Sequence, residues 1–161
     1  LFRSLDRGYR FGFVGSGDSH DGHPGLAHLV MESGGLAAII TDKLTRESVL
    51  AALRARRVYA TNGPRILLRT ALDGYPMGAL IPKPEGVSYQ GELSVRVIAE
   101  TPLERVDLIR SGELVHSIAI DGLLEVTLRR EIKDLVSGEY LYVRAVQEDL
   151  GAAWSSPIYV E

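Results

Sequence analysis

After Gly63-Pro64 the chain settles into a rhythm that few folds can use: apolar residues recur at every second position, in runs divided by turn residues. Glu92 to Glu100 places Leu93, Val95, Val97 and Ala99 on one face. Val106 and Leu108 continue the alternation until Ser111-Gly112 turns the chain, and Leu114 to Ile120 returns. Leu124, Val126 and Leu128 follow, then a Ser137-Gly138 turn, Tyr140 to Val146, and Pro157 to Val160. With Ile66 to Thr70 this makes about seven strands, the number found in an immunoglobulin-like antiparallel β-sandwich. Each strand buries one face, so two such sheets must close on one another to exclude water.

Ahead of Gly63 the texture changes. Arg10 to Ser16 (RFGFVGS) is expected to be a short buried strand, Leu36 to Thr41 an apolar extended stretch, and Pro24 to Met31 a turn or two of helix. The clearest helix begins at Thr45, whose hydroxyl can accept from first-turn amides, with Glu47 at the positive end of the dipole. Val49, Leu50 and Leu53 form its apolar stripe, and Arg54, Arg56 and Arg57 gather at its negative end. The expected fold is therefore mixed α and β in two parts, residues 1–62 and 63–161, joined by a hinge-like link through Tyr59 to Arg65. Asn62-Gly63 accepts positive φ and Pro64 stiffens the exit. Arg65 belongs to that link, or else serves as an anion hook, since a guanidinium offers paired donors to phosphate or carboxylate.

A 161-residue chain with 45% hydrophobic and 24% charged residues is long and apolar enough to bury a core. A net charge of -3 is a poor match for nucleic acid, whose binding needs a basic surface. No cysteine is present, which leaves histidine and carboxylate as metal donors. The longest apolar run, Gly35 to Ile40, falls far short of the roughly 20 residues that span a bilayer. Arg3, Asp6, Arg7 and Arg10 interrupt any signal-like segment, so a soluble protein of unassigned compartment is expected.

The densest chemistry lies in Gly15 to Gly25, GSGDSHDGHPG. A P-loop would need lysine followed by Ser or Thr, and a dinucleotide loop would need G-x-G-x-x-G; neither is present. In an extended segment Asp18 and His20, two positions apart, point to the same side. Carboxylate with imidazole suits zinc, manganese or iron, and the glycines let the backbone turn tightly around an ion. Asp-Ser-His is also good turn chemistry, so the residues alone leave both a metal site and a polar turn standing.

Together with Leu44 to Ile66 (LTRESVLAALRARRVYATNGPRI), the G-S-x-D-S-H-x-G-x-P-G stretch resembles the last part of the PHP family of metal-dependent hydrolases, in the branch that includes carbaryl-hydrolase-like enzymes. The likeness covers Phe11 to Ile66. It implies that residues 1–62 are the C-terminal piece of a distorted β/α barrel, with Asp18 and His20 as its final metal-ligand pair. It also implies two or three divalent ions and a metal-bound hydroxide that cleaves phosphoester, ester or carbamate bonds of a small-molecule substrate. Asp21 and His23 on the same stretch are candidates for substrate or second-layer contacts, as is Arg65. The family's amino-terminal H-x-H pair and most barrel strands have no counterpart here, and Leu1 is not methionine. The chain is thus expected to be a fragment, inactive alone, whose partners are the missing N-terminal barrel portion or a second copy docked through residues 1–62. The rival from another class is a non-enzymatic sandwich that presents aromatics among Tyr75, Tyr89, Tyr140, Tyr142, Tyr159 and Trp154 to a carbohydrate or protein, although alternation assigns several of these to the core.

Overall fold

A computed structural model describes residues 2–17, 34–82 and 86–161. Strands dominate these residues, arranged as an eight-stranded and a four-stranded sheet. The smaller sheet runs β4 (Tyr75–Pro76), β3 (Leu67–Leu72), β6 (Tyr89–Ile98), β9 (Glu125–Leu135). The larger runs β1 (Leu36–Ile39), β2 (Val58–Thr61), β11 (Ala152–Ser155), β10 (Tyr140–Gln147), β12 (Ile158–Val160), β5 (Leu80–Ile81), with β7 (Leu103–Arg110) on the other edge of β10 and β8 (Glu113–Ala119) beyond it. Pairing is antiparallel except between β12 and β5.

The period-two pattern explains the contact between the sheets. Leu93, Val95 and Val97 of β6 meet Leu108 of β7 and Leu141, Val143 and Ala145 of β10 in one apolar core. Each of these leucines and valines contributes about 1.5–3 kcal/mol by leaving water. The larger sheet is covered on its other face as well. There Tyr140 and Tyr142 of β10 and Tyr159 of β12 pack with Ile109, Phe13 and Leu5, the last from the short helix α1 (Phe2–Asp6). Three of the six aromatics named for the binding-module reading are therefore interior: Tyr140, Tyr142 and Tyr159 are 1%, 5% and 0% exposed.

This architecture overturns the mixed α and β expectation, with its closing piece of a β/α barrel. Barrel strands run parallel, whereas β1 pairs antiparallel with β2 and β2 antiparallel with β11, so residues 36–61 extend the antiparallel sheet. Arg10 to Ser16 adopts no strand; its amides are met by side chains instead. Tyr59 to Thr61, expected in the link, belongs to β2. The apolar run of β1 carries no mark of strand direction, which its partner decides. An antiparallel sandwich after residue 63 is compatible with the sheets observed.

The helix at Thr45 forms where its cap and dipole signals place it, as α2 (Arg46–Arg54). Thr45 Oγ1 accepts from the Ser48 amide at 3.2 Å. At the other end the Arg57 amide donates to Ala52 O and the Arg56 amide to Leu53 O, a Schellman closure with Arg56 at φ 58. Arg56 Nε then donates to Gly78 O at 2.9 Å, tying the helix end to the turn after β4.

Polar groups fasten the sheets at two places. Asp107, fully buried, accepts from Arg144 Nη2 at 2.7 Å and from Ser117 Oγ at 2.7 Å, joining β7, β10 and β8. Glu139 accepts from Arg110 Nε at 2.8 Å and from the Val136 amide at 2.8 Å. Burial, the largest single influence on Glu139, raises its pKa, but Arg110 and the Val136 amide together hold it below the ordinary 4.5. A carboxyl lowered in the folded state stabilises the fold above its unfolded value, and that contribution is lost as pH falls through the folded value. Between pH 5 and 3 the urea midpoint of the wild type should drop more steeply than that of Glu139→Gln; parallel slopes would show that the carboxylate contributes nothing.

Candidate functional site

The stretch that carries the sequence signal leaves and rejoins the described structure at one point. Ser16 O accepts from the Gly35 amide at 3.1 Å, so residues 16 and 35 touch. Only glycine fits on either side of this neck. A Cβ on Gly15 would lie 2.6 Å from Leu36 O and 2.7 Å from Thr61 O, and one on Gly35 would lie 2.7 Å from the Ser16 amide nitrogen. Leu36 and Thr61 are the terminal pair of the β1–β2 ladder, so the neck sits at the end of that hairpin.

Asp18, His20, Asp21 and His23 fall between the two sides of the neck and lie outside the described residues, as does the turn expected at Pro24 to Met31. Three of the four histidines in the sequence, His20, His23 and His28, belong to this interval, with Asp18, Asp21 and Glu32. Among the described residues, no group of three or more His, Asp or Glu side chains is placed to hold a metal ion. Arg65 is exposed, and its backbone amide donates to Glu100 Oε2 at 3.3 Å.

The approach to the neck is built by aromatic and hydroxyl side chains. Phe11 N–H donates to Tyr159 Oη at 3.1 Å, the Tyr159 hydroxyl donates to Phe11 O at 2.6 Å, and Phe13 N–H donates to Ser156 Oγ at 2.9 Å. Phe13 meets Tyr142 edge-on at 5.3 Å between centroids, and the Arg10 guanidinium lies 4.9 Å from the centre of the Tyr159 ring. Burial pushes the Tyr159 phenol up, although the Phe11 hydrogen bond and the charges of Arg56 and Arg10 act against it. The hydroxyl therefore stays protonated and keeps donating.

Beside this tethered segment, the Phe11 to Phe13 strap, lies an open apolar groove of about 360 Å³, lined by Phe11, Gly12, Phe13, Val14, Ala60 and Trp154. Val14, 57% exposed, stands at the end of the groove, next to the neck. Sequence reasoning missed this groove. Its walls come from three distant segments, and only the i, i+2 aromatics Phe11 and Phe13 hinted at one of them.

Comparison with known proteins places this chain beside sequences without assigned activity. A family described as "Protein of unknown function (DUF3604)" matches residues 25–75, from inside the histidine-rich interval through β4. An uncharacterized protein of Chlamydia pneumoniae is 35% identical over 184 residues, an alignment that takes in 100% of this chain and 28% of that relative. Uncharacterized proteins of Chlamydia trachomatis serovar D and Chlamydia muridarum are 32% and 30% identical, again over 100% of this chain and 28% of each relative. The chain thus spans 28% of the length of these curated relatives. No solved structure matches it. No helix among the described residues is long and apolar enough to cross a membrane.

Proposed function

We propose that this chain supplies part of the site of a metal-dependent hydrolase, with Asp18 and His20 as two of the ligands to a divalent cation. The observation that carries the proposal is the neck: an interval holding three of the chain's four histidines is pinched at Ser16 and Gly35 beside an apolar groove. Hard carboxylate oxygen with borderline imidazole nitrogen fits zinc, manganese or iron. Two side chains are fewer than the three protein ligands plus open position of a usual catalytic zinc site. The remaining ligands belong to further polypeptide, in keeping with relatives of which this chain spans 28%. When bound, the ion supplies a Lewis acid and an activated water for phosphoester, ester or carbamate cleavage. The chain's own residues orient the substrate: Phe11, Phe13, Val14 and Trp154 offer an apolar surface that excludes water from one side.

The test compares the longest polypeptide carrying this segment with its Asp18→Ala/His20→Ala variant, by metal content and by hydrolysis of p-nitrophenyl phosphate and p-nitrophenyl acetate. The variant is expected to lose bound metal and at least about 100-fold in rate, since ligand loss exceeds the 10–100-fold cost typical of outer-layer changes. Unchanged metal content and rate would remove the proposed site. The 161-residue chain by itself is expected to show no turnover.

A further inference from the structure

The sandwich is open on one side. Among the described residues β8 pairs only with β7 and β9 only with β6, so the two sheets end there in free edges that face one another. Two side chains bridge the gap: Arg130 Nη1 of β9 donates to His116 Nε2 of β8 at 2.8 Å, and Arg110 of β7 donates to the carbonyl oxygens of Lys133 and Asp134 at the end of β9.

Hollows lie on both sides of the bridge. Outward is a cleft of about 140 Å³, floored by Leu108, Val115, Ile132 and Leu141 and rimmed by charged side chains. Inward is a small apolar void of about 20 Å³ between the sheets, bordered by Leu93, Leu128 and Val143. The rim is cationic on balance. Arg110 is held by Glu139 and Lys133 by Glu131, whereas Arg130 meets the His116 ring and, among the described residues, no carboxylate. One uncompensated guanidinium above an apolar floor is the complement of one negative charge on an apolar body.

We propose that this cleft binds a small amphipathic monocarboxylate. Its carboxylate accepts from Arg130, while its apolar body covers Leu108, Val115, Ile132 and Leu141. A cavity of about 150 Å³ holds one benzene ring, so a cleft of about 140 Å³ suits the body of an aromatic or short branched acid. The site lies on the sandwich, apart from the neck and groove, and does not depend on the hydrolase reading. Arg129, Arg130 and Lys133 also place charge along the free β9 edge, which discourages edge-to-edge aggregation. A guard of that kind needs charge alone and has no preference for an apolar body.

The experiment is an NMR titration of the 161-residue chain with benzoate, inorganic phosphate and benzyl alcohol, following backbone amides and the His116 ring nitrogens. Benzoate is expected to give saturable shifts at His116, Arg130 and Ile132 with a Kd of about 0.1–1 mM, a reasonable strength for so small a ligand. Phosphate and benzyl alcohol, each carrying half of the chemistry, should bind at least tenfold more weakly. Arg130→Gln, at an exposed position, should weaken benzoate at least tenfold, and Val115→Asn should weaken benzoate while leaving phosphate unaffected. Phosphate binding as well as benzoate would reduce the cleft to an edge guard. Benzoate shifts that do not saturate below 20 mM, or that persist at full strength in Arg130→Gln, would overturn the site.

Discussion

Gly78→Ala is expected to lower stability by roughly 2–5 kcal/mol, a fall in Tm of about 5–15 °C for a chain of this size. Gly78 has φ +85, where a side chain costs about 1–2 kcal/mol on its own. The larger part is contact. A Cβ there would lie 2.5 Å from the carbonyl carbon of Arg56 and 2.7 Å from its Cβ, closer still to its carbonyl oxygen. Arg56 cannot withdraw, because its own left-handed conformation closes the Schellman turn of α2 and its Nε donates to Gly78 O. On the other side the Gly78 amide donates to Pro157 O at 3.0 Å. Gly74 is the internal control: it has φ +82 and nothing within 4 Å of a built Cβ. Gly74→Ala should therefore cost only the conformational part, about 1–2 kcal/mol. Equal losses in the two variants by urea denaturation would show that the close approach of Arg56 and Gly78 is absent in solution.

That clamp joins α2 to the turn between β4 and β5, and nothing in the spacing of the sequence announced it. What sequence made legible was whatever depends on local pattern. Leu93, Val95 and Val97 alternate because one face of β6 is buried, and Thr45 with Glu47 opens α2 because the helix end itself needs an acceptor and a negative charge. What it left hidden depends on distant partners. β11, with Ala152, Ala153 and Ser155 as its buried residues, has little apolar bulk to signal a strand; its identity comes from lying between β2 and β10. That β10 and β12 are buried on both faces was hidden for a related reason. Period two separates the faces of a strand but does not tell that a third layer, α1 and the Phe11 to Phe13 strap, covers the second face. Arg10 to Ser16 has the composition of a strand, yet hydroxyls of Tyr159 and Ser156 bind its amides from the side. The metal-ligand candidates reverse this balance: Asp18 and His20 stand out in sequence, and the structure contributes the neck at Ser16 and Gly35 that pinches their interval.

The strap therefore connects the sandwich to the candidate site, and Tyr159 is its anchor. Tyr159→Ala is expected to cost about 3–5 kcal/mol, the usual range for removing a buried aromatic, because the ring is 0% exposed and packs against Tyr140 at 6.3 Å. Tyr159→Phe separates anchoring from packing. It keeps the ring but deprives Phe11 N–H and Phe11 O of their partner; both groups are partly open to water, so the global cost should stay near 1–2 kcal/mol. The local effect should be larger. With the strap released, trypsin should cut after Arg7 and Arg10 at least tenfold faster than in the wild type, while the sandwich remains resistant. Under the proposed reading of Asp18 and His20 as ligands, the same variant should also weaken metal binding without touching a ligand, because Phe11 to Phe13 leads directly into Gly15 and the neck. Wild-type rates of cleavage in Tyr159→Phe would mean that packing alone holds the strap. Unaltered metal affinity alongside faster cleavage would mean that the interval from 18 to 33 keeps its geometry without help from the sandwich.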